Sequence, residues 1–329
     1  MKVLVTGSSG HLGEGLVREL RSDPDTDVIG LDIKPSSFTT ILGSVSDEDC
    51  VANCMAGVDV VYHTATLHKP HVATHAKQQF VDTNISGTLA LLEAAVANGV
   101  RRFVFTSTTS VFGDAMRPAA GAPAAWVTED VRPVPRNIYG VTKTAAEELC
   151  LLFHRKHGLN CIVLRTSRFF PEEDDDRSKR ESFSDANIKA NEFLYRRVEL
   201  EDVVTAHIKA AERAVDLGFG RYIVSATSPF RPEDLPQLNG SAAEVVQRRV
   251  PEYEAVYESL GWKMFDLVDR VYVNEAARID LGWTPRFDFK HVLGLCRAGG
   301  SPMSGLAATV GLKGYHDEVF SDGPYPVQD

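Results

Sequence analysis

TGSSGHLG, residues 6–13, decides how this chain begins to fold. An apolar run at residues 2–6 leads into it, and an amphipathic pattern over 12–20 leaves it. Gly7, Gly10 and Gly13 recur every three residues, unlike the G-x-G-x-x-G order of the commonest dinucleotide turn. The physical task is the same: a tight turn, close backbone approach, and a helix N-terminus whose free N–H groups face an anion. An ordinary turn is the competing reading of three glycines. The strand before, the helix after and Asp32, 19 residues beyond Gly13, favour a dinucleotide. A carboxylate there accepts both hydroxyls of an adenosine ribose and repels a 2′-phosphate, so NAD is expected over NADP. Lys34 keeps the phosphorylated form open.

Further apolar runs at 27–32, 58–63, 102–106 and 160–165 alternate with helical patterns over 47–56, 79–98 and 138–157. Near-continuous apolar strands separated by helices predict an α/β fold of Rossmann type. This is a doubly wound parallel sheet, covered on both faces, that binds ligands at its carboxyl edge. Beyond residue 165 the pattern loosens. An acidic run at 172–176 reads as a solvated loop. A strand at 195–200, a helix at 201–215 and a strand at 221–225 follow, then smaller helical pieces within 229–262 and 275–298. The expected organisation is a dinucleotide-binding domain of 1–165 and 201–228 with a smaller C-terminal substrate lobe of 166–200 and 229–298. The tail, 299–329, is rich in Gly, Ser and Pro and is expected to be loose or to pack on a neighbour.

The chain has 329 residues, 43% hydrophobic and 24% charged, with a formal net charge of −10, which argues against nucleic-acid or anionic-membrane surfaces. Five scattered cysteines read as free thiols of a reducing compartment. Residues 1–6 enter a strand directly, without a leader pattern, so a cytoplasmic location is expected. His63, His68, His71 and His75 fall within thirteen residues but match no compact zinc spacing, so no metal is expected.

Two stretches carry chemistry. FVFTSTTSVFGD, residues 103–114, runs from an apolar strand into five consecutive hydroxyl side chains, Thr106 to Ser110. YGVTK, 139–143, sets Tyr139 and Lys143 four residues apart on one helix face. An ammonium near a phenol favours phenolate, so the Tyr139 pKa is expected to fall toward neutrality. Such a tyrosine exchanges a proton with an alcohol or carbonyl while hydride moves to or from a nicotinamide.

Together, TGSSGHLG, GVDVVYHTAT, NISGTLALLEAA, FVFTSTTSVFGD, YGVTK, RVELEDVVTAH and AARIDLGWTPRFDF resemble the extended short-chain dehydrogenase/reductases, in their NAD-dependent epimerase/dehydratase branch, over residues 1 to about 295. The resemblance implies catalysis by Thr108, Tyr139 and Lys143, with Thr108 chosen by its place three residues before Val111. Ser107 and Thr109 remain alternatives, and Thr106 and Ser110 are expected to satisfy backbone groups at the strand end. It also implies NAD contacts from Gly7, Gly10, His11, Leu12, Gly13, Asp32, Ser44, Val45, Thr64, Ala65, Thr66 and Thr166, and a nicotinamide-ribose contact from Lys143. Position 44 is usually Asp in the family. Substrate candidates are His68, Asn84, Thr109 and Arg168, where Asn84 has a structural hydrogen bond, and Arg168 a salt bridge with the acidic run, as competing readings.

Dehydratases of the family carry acids after the catalytic Thr; Thr109 and Ser110 stand there instead, which disfavours dehydration. The segment between Arg165 and RVELEDV is short for a lobe that recognises UDP. An epimerase of a sugar or sugar nucleotide, resembling UDP-galactose 4-epimerase, leads. An NAD-dependent dehydrogenase of a sugar acid or other small polar alcohol follows closely. A non-catalytic NAD sensor is the third reading, against which the retained Tyr139 and Lys143 stand. The patterns at 79–98 and 138–157 are those that relatives pair in two-fold dimers, so a homodimer is expected.

Overall fold

The computed structural model describes residues 1–119, 121–316, 318, 320 and 323–326. Strands Lys2–Thr6 (β1), Asp27–Asp32 (β2), Ile41–Leu42 (β3), Val60–His63 (β4), Arg102–Thr108 (β5), Cys161–Thr166 and Phe219–Val224 form one parallel sheet. Ala125–Val127 (β6) precedes the last two, which are therefore β7 and β8; β6 pairs in parallel with Arg270–Tyr272 (β9) as a separate ribbon. The order across the main sheet is β3-β2-β1-β4-β5-β7-β8. The chain reverses its direction of travel across the sheet between β1 and β4, and that switch point opens the cleft described below.

Period-two alternation sorts the strand residues into two layers. Val3, Val5, Tyr62, Val104, Ile162 and Leu164 face helices His11–Leu20 (α1) and Leu200–Leu217. Leu4, Val61, Phe103, Phe105 and Val163 face Glu48–Met55 (α2), the helix of residues 77–97, and Ile138–His157. The 77–97 helix runs from Lys77–Phe80 (α3) through a π turn at Val81–Ser86 into Gly87–Ala97 (α4), and Ile138–His157 is α5. Asn137 caps α5, accepting from Gly140 N at 3.1 Å, and Gly158 ends it in the left-handed region.

After β7 come Arg177–Ser182 (α6), Asp185–Glu192 (α7), Leu200–Leu217 (α8), Leu235–Leu238 (α9), Ala242–Arg249 (α10) and Tyr253–Leu260 (α11). Glu275–Asp280 (α12), Phe289–Arg297 (α13) and Gly305–Val310 (α14) follow. A second core of Ile188, Phe193, Leu238, Val246, Tyr257 and Phe289 joins α7, α9, α10, α11 and α13.

Three expectations change here. Residues 195–200 are not a strand: a turn ends in a single bridge between Arg197 and Arg168, because the side chains of Arg196 and Arg197 fold back onto buried Glu192. The acidic run is solvated only at Glu173 and Asp176, which are exposed. Glu172 and Asp174 are buried and Asp175 is partly so; Asp174 and Asp175 face Lys69, Arg168 and Arg196, and Glu172 faces His11. The tail is not loose over its first part: α14 packs on α1 and α8, and Ser304 donates to buried Glu199 at 2.8 Å. Strands β3, β6 and β9 are too short to leave a pattern in the sequence. No helix among the described residues is long and apolar enough to cross a membrane.

Asp202, in the RVELEDV stretch, ties α8 to the segment before α13. Its two carboxylate oxygens accept Arg286 N at 2.7 Å and Phe287 N at 2.9 Å. An amide cannot accept at both positions, and its NH2 would face a backbone N–H. Asp202→Asn is therefore expected to cost about 1–3 kcal/mol, read as a lower melting temperature by circular dichroism. An unchanged melting temperature would remove Asp202 from this role.

Candidate active site

Close backbone packing builds the cofactor end of the cleft. Gly7 has φ +72, and a Cβ there would stand 2.8 Å from Ala65 N and Thr64 Oγ1. A Cβ on Gly13 would stand 1.9 Å from Gly7 O. No side chain caps α1, whose N-cap is Gly10, so its first N–H groups face the cleft. Asp32 sits beside them at the end of β2, where its carboxylate accepts Ser9 N and Lys34 N, each at 2.9 Å. Glycines without room for a Cβ, an uncapped helix start and an oriented carboxylate together fit a pyrophosphate with its adenosine ribose.

The cleft holds about 730 Å³ along the carboxyl edge of the sheet. Its walls include Gly7, Gly10, His11, Leu12, Gly13, Asp32, Ser44, Val45, Thr64, Ala65, Thr66 and Thr166. Thr108, Thr109, Tyr139, His68 and Arg168 line it as well. Lys143 and Asn84 do not.

The five hydroxyls separate by their partners. Thr106 Oγ1 lies 2.8 Å from His207 Nε2 on α8, so it serves a buried histidine rather than the backbone. Ser107 donates to Glu147 Oε1 at 2.5 Å, within a buried pair in which Arg165 Nη2 meets Glu147 Oε2 at 2.8 Å. Thr108 lies beside the Tyr139 phenol, whose pKa it works to lower against burial, and accepts Ser110 N at 3.1 Å. Thr109 and Ser110 open a short 3-10 turn beside it.

Tyr139 and Lys143 differ from the expected electrostatics. Burial pushes the phenol up to about 12, opposed by Thr108 beside it. Burial also pushes the ammonium down to about 7, with Cys150 and Glu147 opposing. Desolvation penalises phenolate and ammonium alike, and here it outweighs any help one gives the other. Lys143 lies behind the cleft wall, 2% exposed, its Nζ 4.0 Å from the centre of the Phe105 ring.

Asn84, in the π turn, has its amide fully committed. Its Oδ1 accepts Leu67 N and the Thr66 hydroxyl, and its Nδ2 donates to Leu67 O and Thr142 Oγ1. It braces the cofactor-side loop from behind. Arg168 reaches Asp174 and Asp175, each at 3.2 Å, so its charge is matched within the protein. His68 and His71 are both held below the usual histidine range by burial and by neighbouring imidazoles, His71 down to about 4. Among the described residues no group of His, Cys, Asp or Glu is arranged to hold a metal ion.

The sequence reading passed over much of the remaining wall. Phe169, Phe170, Arg117, Arg136, Arg196, Arg270 and Tyr272 line the cleft, with Lys313, Tyr315 and Tyr325 from the tail. No spacing in the sequence marks them, because elements far apart in the chain bring them together. Asp32 is the one carboxylate among the described lining residues.

Residues 3–222 match the profile of the NAD dependent epimerase/dehydratase family. An uncharacterized UDP-glucose epimerase, YtcB, of Bacillus subtilis (strain 168) is 32% identical over 185 residues, covering 50% of this chain and 55% of that protein. An L-arabinose 1-dehydrogenase (NAD(P)(+)) of Haloferax volcanii is 35% identical over 172 residues, covering 50% and 65%. This chain thus matches little more than half the length of such curated relatives. A solved short-chain dehydrogenase/reductase superfamily protein from Agrobacterium tumefaciens, with bound NAD, shares the fold at TM-score 0.63 and 23% identity, covering 91% of this chain and 96% of that one. With the glycine turn, Asp32 and the Thr108–Tyr139 pair in one cleft, the chain belongs to the NAD dependent epimerase/dehydratase family.

Proposed function

We propose that this protein catalyses hydride transfer between NAD and a secondary alcohol or ketone of a sugar-like substrate. The observation that carries the reading is that Thr108 and Tyr139 line the same cleft as the glycine turn and Asp32. The turn and the N–H groups of α1 would hold the pyrophosphate and Asp32 the adenosine ribose. Ser44 and Val45 would lie by the adenine, with residues 64–66 along the ribose and pyrophosphate. Bound NAD supplies a carbon centre that accepts or gives up hydride.

The chain's own residues supply the proton chemistry. Thr108 donates to the substrate oxygen, and Tyr139 gives or takes the proton at Oη. Because burial holds the phenol up to about 12, Tyr139 is protonated near neutrality and stands ready as the donor to a ketone. Lys143, pushed down to about 7 by burial, adds positive potential favouring the phenolate formed afterwards only in the fraction that stays protonated. Elimination of water needs a carboxyl group at the reacting end; Thr109 and Ser110 carry none, and Asp32 belongs to the cofactor end.

Two outcomes begin alike, with the alcohol oxidised to a ketone as its hydride passes to NAD and Tyr139 takes the hydroxyl proton. An epimerase returns hydride to the other face of the ketone, and a dehydrogenase releases the ketone. The relative bearing a UDP-glucose epimerase name supports the first. The L-arabinose dehydrogenase supports the second, as does the short segment between β7 and α8. Protein mixed with NAD and a panel of sugars, sugar acids and sugar nucleotides separates them. Net reduced cofactor marks a dehydrogenase; stereochemical conversion without it marks an epimerase.

In either case Tyr139→Phe is expected to lower turnover by about 10²–10⁴-fold with NAD affinity kept. Full turnover in that variant would refute the assignment. Gly13→Ala, which places a methyl against Gly7 O, is expected to weaken NAD binding by at least about tenfold, or ~1.4 kcal/mol, measured by calorimetry. Wild-type affinity there would move the pyrophosphate elsewhere.

A further inference from the structure

We propose that the C-terminal segment bearing Lys313, Tyr315 and Tyr325 is a specificity-determining wall of the cleft. It admits a single sugar-sized polar substrate and shuts out the nucleoside diphosphate of a sugar nucleotide. The inference rests on the hydride-transfer reading above and names its substrate class.

The segment is built into the site. Glu172, from the acidic run, is 7% exposed and gathers three partners. His11 Nε2 lies 2.8 Å from Oε1, close but poorly aligned for a hydrogen bond. Lys313 N donates to Oε1 at 3.1 Å, and the Tyr315 hydroxyl donates to Oε2 at 3.1 Å. Burial works to raise the Glu172 pKa, yet these contacts hold it below the usual range. The glycine turn, the acidic run and the tail therefore meet on one buried carboxylate.

Other contacts fix the segment on both sides. The Lys313 ammonium pairs with buried Glu14 in the first turn of α1. His316 Nε2 lies 3.0 Å from Pro70 O, and the Tyr325 phenol lies near the Asp175 carboxylate; burial, then that charge, raises its pKa. A buried carboxylate without a partner is costly, so these pairs hold Lys313, Tyr315, His316 and Tyr325 in place.

What the segment presents to the cleft is aromatic bulk. Tyr315 packs edge-on against His68, Phe170 and Tyr325, with ring centres 5.1, 5.9 and 5.5 Å apart. This cluster reaches the glycine turn at His11, whose ring centre lies 5.3 Å from that of Phe170 and 6.3 Å from that of Tyr315. A cleft of about 730 Å³ has to take a dinucleotide and a substrate together. A second nucleotide needs an open groove and unmatched cations for its phosphates. This wall offers rings, and the Arg168 and Arg196 charges beside it are already matched by Asp174, Asp175 and Glu192. Arg136 pairs with Asp114 and Arg270 with Asp269, so among the described residues Arg117 is the lining arginine with no ion pair. Exclusion by bulk and by charges already satisfied is how a site rejects a larger competitor.

The test uses the full chain, the Y315A/Y325A double variant and the Y315F/Y325F double variant, with melting curves to establish folding. UDP-glucose is titrated into each by calorimetry, with NAD saturating and without NAD. The full chain and the phenylalanine pair, which keeps the rings, are expected to show no UDP-glucose binding. The alanine pair is expected to bind it at least about tenfold more tightly, ~1.4 kcal/mol. UDP-glucose binding by the full chain, or no gain in the alanine pair, overturns the proposal. NAD titrated alone keeps the two readings apart: failure to bind it would sink the hydride-transfer reading and leave the UDP-glucose comparison intact.

Discussion

The cleft depends on how closely two stretches of backbone approach at Gly7 and Gly13. The space where a Gly13 Cβ would lie is already filled by Gly7 O. That contact lets α1 start immediately after the turn and aims its free N–H groups along the carboxyl edge. The same turn is tied sideways: Gly7 N donates to Leu31 O at 2.8 Å, and Ser9 N to Asp32. On the other side, Gly7 touches the backbone of Ala65 after β4. One steric constraint therefore sets the positions of the helix start, the ribose-side carboxylate and the 64–66 loop. A side chain at either glycine would disturb all three.

A second constraint lies under the reacting end. Glu147, four residues after Lys143 on α5, is 1% exposed and meets Arg165 from β7 and the hydroxyl of Ser107 from β5. Arg165 also lies over the Phe112 ring, 4.9 Å from its centre. Thr166 donates to Ser107 O at 2.9 Å, locking the ends of β5 and β7 together. A buried ion pair of this kind adds little net stability but is expensive to break, so it acts as a register pin. By holding Ser107 on the α5 side, it leaves Thr108 as the hydroxyl that meets Tyr139.

The sheet was legible because its strands are buried on both faces and read as apolar runs. The bounds of β1, β2 and α5 agree with the sequence pattern to the residue. The dinucleotide end was legible for a related reason: backbone approach demands glycine, and glycine is visible in a sequence. Electrostatic states were not. The fate of Tyr139 and Lys143 turns on burial, which spacing along a helix does not report. The run 172–176 looked solvated because five acids in a row usually are. Of its partners, Arg168 is a near neighbour in the chain, while Lys69, Arg196, His11 and Tyr315 come from four other parts of it. The tail's share in the cleft was hidden for the same reason, since a segment rich in Gly and Pro carries no periodicity even when two of its tyrosines are buried.

On the proposal above, Tyr139 and Thr108 serve a hydride transfer rather than a passive nucleotide pocket. Label transfer tests it most directly. The protein is incubated with NADH deuterated at the transferring position of its nicotinamide and with a pool of ketoses and keto-acid sugars, and the pool is analysed by mass spectrometry. The account predicts deuterium on a single carbinol carbon of one sugar product. NADH that binds while no sugar in the pool gains deuterium would contradict it.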